Sequence, residues 1–73
     1  MAAAPQWKVY DYQGYYQAAC KEIEAAACLV SFYGSGAVIK NGHSKIVWIE
    51  GTDGLASQSY DAVAAAVEKK LNT

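Results

Sequence analysis

The chain has no arginine: its six basic residues are all lysines, set against seven acidic residues for a net charge of −1. Arginine is the side chain best shaped for bidentate phosphate and base-edge contacts, so its absence, without any basic stripe, weighs against nucleic-acid binding. Long apolar runs are missing as well. The longest, Ala25 to Val30 and Ala62 to Val67, fall far short of the roughly 20 residues that cross a bilayer. Met1 to Pro5 has neither the basic start nor the apolar core of a secretory signal. Cysteine is scarce, and Cys20 and Cys28 alone fit a reduced, cytoplasmic protein. On one helix their eight-residue spacing would separate them by about 12 Å, too far for the roughly 4.4–6.8 Å between bridged Cα atoms. They read as small buried hydrophobes of a helix.

Catalytic sets are equally thin. His43 is the only histidine, and as a residue of a predicted hairpin turn with no second ligand nearby it reads as solvated. Tyr33-Gly34-Ser35-Gly36-Ala37 lacks the Lys and Ser/Thr that complete a phosphate loop and the glycine spacing of a nucleophile elbow, so a strand bulge is expected. Glu50 and Asp53 read as solvated turn residues. No enzyme activity, cofactor or metal is expected.

What is present is apolar. The 73 residues are 53% hydrophobic and include two Trp and six Tyr, above the roughly 45–50% usual for globular chains. A chain this short buries only about 60% of its unfolded surface. Part of the surplus is expected to meet another chain, and a homodimer is the simplest case.

The pattern along the chain predicts an α+β fold, a small two-layer domain in which an antiparallel β-hairpin or three-stranded meander lies between an N-terminal and a C-terminal helix. Residues 1–10 are expected as an arm or short edge strand, with Trp7 to Tyr10 alternating, and 11–73 as one domain. Asp11 is placed to cap a first helix running to about Ala27, with Tyr16, Cys20 and Ile23 on its inner face. Asn41-Gly42 is a strong hairpin signal between Ala37-Val38-Ile39 and Ile46-Val47-Trp48-Ile49. Leu55 to Gln58 is expected as a third strand, followed by a last helix from Tyr60-Asp61, with Ser59 as the alternative cap. Alternation sorts the strands into one face with Ala37, Ile39, Ile46 and Trp48, and another with Phe32, Val38, Lys40, His43, Lys45, Val47 and Ile49. Both are apolar, so the helices should cover one and a partner the other.

The order helix, strands, helix resembles the topology of double-stranded RNA-binding domains. That family sets lysines at the start of the last helix, where this chain has Tyr60, Asp61, Ala62 and Val63. In size and style alone the chain is also similar to the accessory inhibitors of phages and mobile elements, which block a host protein by occupying its surface.

Two functional expectations follow. The first is a non-catalytic protein-interaction module, homodimeric, using Trp7, Tyr10, Tyr12, Tyr15, Phe32, Trp48 and Ile49, because aromatic side chains bring contact area at low entropic cost. The second is a nucleic-acid contact at the hairpin tip through Lys40, His43 and Lys45.

Overall fold

The computed structural model describes residues 7–71; of the arm or edge strand expected over residues 1–10, residues 1–6 lie outside them. The elements are β1 (Trp7–Tyr10), β2 (Tyr16–Cys20), α1 (Ile23–Tyr33), β3 (Val38–Lys40), β4 (Ile46–Ile49) and α2 (Tyr60–Leu71). The α+β class and the antiparallel sheet are as the sequence predicts. The sheet is larger than expected, with four strands in the order β2-β1-β3-β4, so β1 is an interior strand rather than an edge.

The first expected helix is instead a hairpin, and Asp11 explains why. Its Oδ1 does accept amides, from Gln13 and Tyr15 at 2.9 Å each, but it closes a turn. Asp11 N–H donates to the Tyr15 carbonyl and Gly14 N–H to the Asp11 carbonyl, both at 3.0 Å, while Gly14 takes φ +88°. A short polar side chain that bonds amides two and four residues on serves a turn as well as a helix cap. The helix begins only at Ile23 and continues to Tyr33, through residues expected to be extended. Gly34, at φ +88°, stops it, its N–H bonding the Val30 carbonyl at 2.9 Å. Gly34 is thus a helix stop and not a strand bulge.

The Asn41 turn repeats the Asp11 turn bond for bond. Asn41 Oδ1 accepts from His43 and Lys45 N–H at 2.9 Å, Asn41 N–H donates to the Lys45 carbonyl at 2.9 Å, and Ser44 N–H donates to the Asn41 carbonyl at 3.0 Å. Positive φ falls on Ser44, at 63°, not on the Asn41-Gly42 pair. Both hairpins also carry a one-residue bulge, at Gln17 and at Val47. Residues 7–20 and 37–50 therefore correspond in register, turn bonds and bulge at a constant shift of thirty residues without sharing one identical residue. Each is followed by a helix, so the fold is a tandem ββα repeat. Its pseudo-two-fold axis passes through the β1–β3 pairing at Val9 and Ile39, which are each other's counterparts.

The core lies between one sheet face and the two helices. Val9, Ile39, Val47 and Trp48 meet Ala26, Ala27 and Val30 of α1 and Val63 and Val67 of α2. The Val47 bulge breaks the expected face assignment, because two consecutive residues, Val47 and Trp48, turn inward while Ile46 stays 42% exposed. The third strand expected at Leu55–Gln58 is a run of turns. Ser59, rather than Asp61, caps α2 by accepting the Ala62 N–H at 3.2 Å.

Gly36 lies between α1 and β3 at φ +95°, and a Cβ there would sit 2.9 Å from Tyr12 Cβ. Gly36→Ala combines that clash with a backbone angle L-residues avoid. It should lower stability by about 1–3 kcal/mol, read as a drop in the urea midpoint; an unchanged midpoint would mean that Tyr12 does not pack over the turn.

Candidate interaction surface

Alternation along the strands leaves a second sheet face that neither helix covers. Two rows cross all four strands on this face. One runs Tyr16, Tyr10, Val38, Ile49, and the other Ala19, Lys8, Lys40, Ile46. Tyr16 is 55% exposed, and Tyr10, Val38 and Ile49 are half-buried. The Tyr10 and Tyr16 rings meet edge to face at 5.7 Å, a favourable geometry for two quadrupoles. Lys40 Nζ lies 4.5 Å from the Tyr10 ring centroid, a cation–π contact.

Lys8 and Lys40 are direct cross-strand partners. Like charges placed opposite each other on a sheet are destabilising, by an amount on the order of 0.2–1 kcal/mol. Neither row holds a carboxylate, and among the described residues the lone ion pair is Lys70 with Asp53, at 3.1 Å. Asp11, beyond the end of β1, is occupied by Gln13, Tyr15 and Gln17.

The residues expected to form an interface do not come together. Tyr10 and Ile49 lie on the open face. Trp7 shares the inner face with Val9 and packs on the core. Tyr12 and Tyr15 project from the β1–β2 turn, and Phe32 is 80% exposed on α1, edge to face with Tyr33. Trp48 is 2% exposed beneath the helices, so it is a core residue and not an interface one. The three basic residues of the hairpin tip diverge too. Lys40 joins the open face, Lys45 Nζ donates to the Lys70 carbonyl at the end of α2 at 2.8 Å, and His43 lines a shallow depression of about 240 Å³ with Trp7, Asn41, Gly42 and Leu71. Among the described residues that line it, the histidine has no second titratable group beside it.

Lys8, Tyr16, Val38 and Ile46 are members of the open face that the expected interface omits. The alternation of Trp7-Lys8-Val9-Tyr10 signalled Lys8, once those residues are placed inside a sheet. Tyr16 was hidden by the helical reading of its segment.

Glu50, expected to be solvated, is 3% exposed; its carboxylate accepts Trp48 Nε1–H at 3.0 Å and the Ala56 N–H at 3.1 and 3.2 Å. Asp53 accepts from Ile49 N–H at 2.7 Å and from Lys70 Nζ at 3.1 Å. Cys20, in β2 rather than a helix, is buried, and burial pushes its thiol up from the ordinary value, which suppresses the reactive thiolate. Cys28 is exposed on α1, contrary to its expected burial, with Sγ 3.2 Å from the Tyr60 hydroxyl. That hydrogen bond, followed by repulsion from a charged Cys28 and then by desolvation, raises the Tyr60 phenol. Among the described residues no group of three His, Cys, Asp or Glu is placed to hold a metal, and no helix is long and apolar enough to cross a membrane. Comparison with family models, curated proteins and solved structures finds no match.

Proposed function

We propose that this chain is a non-catalytic protein-interaction module that docks a protein partner on the open face of its sheet. The observation that carries this reading is the unbroken row Tyr16, Tyr10, Val38, Ile49 across all four strands. An antiparallel sheet with one face on a core ordinarily turns polar residues to water, whereas this row is aromatic and aliphatic from edge to edge. The scatter of His43, Glu50 and the cysteines supports a binding role over a catalytic one. The free thiols fit the reducing cytoplasm as its place of action.

A second copy of the chain is a less favourable occupant. Any face-to-face pairing would gather two Lys8–Lys40 pairs in one interface without a carboxylate from either row. The same argument separates the reading from nucleic-acid binding at the hairpin tip, where Lys40, His43 and Lys45 point to different places.

The test is capture from extracts of the cells that make the protein, comparing the wild type with a Tyr16→Asp/Ile49→Asp variant. Both side chains are at least partly exposed, so circular dichroism should show the variant folded. A specific partner retained by the wild type should be lost by the variant. Identical captured sets would overturn the reading, and sedimentation over a range of concentrations would show whether the occupant is the chain itself.

A further inference from the structure

We propose that Lys8 and Lys40 form an anion-binding site that receives a carboxylate of an acidic, apolar protein segment lying across the open sheet face. This rests on the reading of that face as a protein-docking surface and adds the chemistry of what docks there.

The argument starts from an electrostatic imbalance. Two lysines stand opposite each other on adjacent interior strands, an arrangement that costs stability in the free protein. Among the described residues the Lys8 ammonium makes neither a hydrogen bond nor an ion pair, and that of Lys40 meets the Tyr10 ring alone. The pair lies beside the pseudo-two-fold axis, at the centre of the face, with β2 and β4 as flanks. The surroundings are apolar: Tyr10 and Val38 in the next row, Ala19 and Ile46 at the two ends of the same row. A ligand that covers this face removes water from both ammonium groups. Desolvated charges without a counter-charge are costly, so the ligand must bring an anion to that point.

Phosphate would answer the charge, but the aromatic geometry disfavours a nucleic-acid strand. Base stacking needs open ring faces. Here Lys40 Nζ occupies a face of Tyr10 and the Tyr16 ring meets it edge to face. The β3–β4 half of the platform is aliphatic, with Val38, Ile46 and Ile49, and offers bases nothing to stack on. Those side chains suit apolar side chains of a protein segment, while a Glu or Asp between them reaches the lysines.

The experiment uses the full chain, labelled with 15N, and three probes. The first is a peptide of about eight residues, ~27 Å when extended, alternating Glu with Val and Tyr. The second is the same peptide with Gln for Glu, and the third is oligodeoxythymidylate. The Glu peptide should shift the amides of Lys8, Tyr10, Val38 and Lys40 saturably. Its affinity should fall about tenfold for the Gln peptide, and by a similar factor in a Lys8→Gln/Lys40→Gln variant. That variant should melt close to the wild type, since it relieves the Lys8–Lys40 repulsion and gives up the Lys40–Tyr10 contact, two effects of similar size. Equal binding of the Glu and Gln peptides would overturn the anion site and leave the apolar docking face standing. Failure of every probe to shift these amides would overturn both. Tighter binding of the oligonucleotide at the same amides would overturn the protein carboxylate in favour of phosphate.

Discussion

Replacing Glu50 by alanine should cost the domain about 2–6 kcal/mol, because it leaves two buried donors without an acceptor at a price of about 1–3 kcal/mol each. Glu50 follows the last residue of β4 and is 3% exposed. Its backbone continues the sheet, taking the Gly36 N–H at 2.9 Å and giving its own to the Ala37 carbonyl at 2.8 Å. Its side chain does the longer-range work, accepting from the Trp48 indole and from the Ala56 amide. Those bonds pin the 51–59 connection against the core, and Ala56 itself is fully buried. A domain of 73 residues has roughly 4–11 kcal/mol in total, from about 0.05–0.15 kcal/mol per residue, so a loss of this size removes much of it. Urea unfolding measures the change directly. Glu50→Gln keeps an acceptor oxygen and should lose less than half as much. If the alanine variant loses under about 1 kcal/mol, the carboxylate does not hold the connection.

The same residue shows where sequence reasoning reached its limit. A glutamate directly before Gly51-Thr52-Asp53-Gly54 has every local mark of a solvated turn, and nothing in the sequence shows that Trp48 and Ala56 will converge on it. What was legible depended on chemistry within a few residues. The Asn41 turn, β4 and α2 could be read from a turn residue, a β-branched run and an alanine-rich stripe. Residues 12–20 were misread because alanine and glutamine favour helices, whereas their actual state is set by pairing with β1. The pairing of Lys8 with Lys40 requires β1 inside the sheet beside β3, whereas residues 7–10 read as an arm or edge strand, so the open face could be anticipated only as an apolar surplus.

The tandem ββα repeat was hidden for a related reason. The constant thirty-residue shift conserves backbone roles: Asp11 and Asn41 accept the turn amides, Gly14 and Ser44 take positive φ, and Gln17 and Val47 form bulges. Different side chains meet each of these demands, so identity vanishes while geometry persists. The bulges also overturned the face assignment. Alternation of period two sorts a strand correctly only until an extra residue intervenes, and Val47 is that residue.

The contrast between Trp48 and Ile49 tests the resulting picture most sharply, since the two are adjacent in β4 and face opposite ways. Trp48→Ala should cost about 3–5 kcal/mol, the usual range for removing a buried indole. The Trp48 ring packs close to Gly54, where a Cβ would lie 3.2 Å from it, and its Nε1–H serves Glu50, so the loss includes both a cavity and a buried carboxylate left with the Ala56 amide alone. Ile49→Asp places a charge one residue further on, and on the open face it should change stability by no more than about 1 kcal/mol, with its backbone bond to Asp53 intact. Trp48→Asp should simply unfold the chain, which makes it useless as an interface probe and leaves that role to Ile49. Because Trp48 and Glu50 share a hydrogen bond, their alanine variants should combine to less than the sum, with a coupling of about 0.5–3 kcal/mol in a double-mutant cycle. If Ile49→Asp unfolded the domain while Trp48→Ala left it stable, the sheet would have to present its other face to the helices, and the Lys8–Lys40 pair would lie in the core, where two unpaired ammonium groups could not be accommodated.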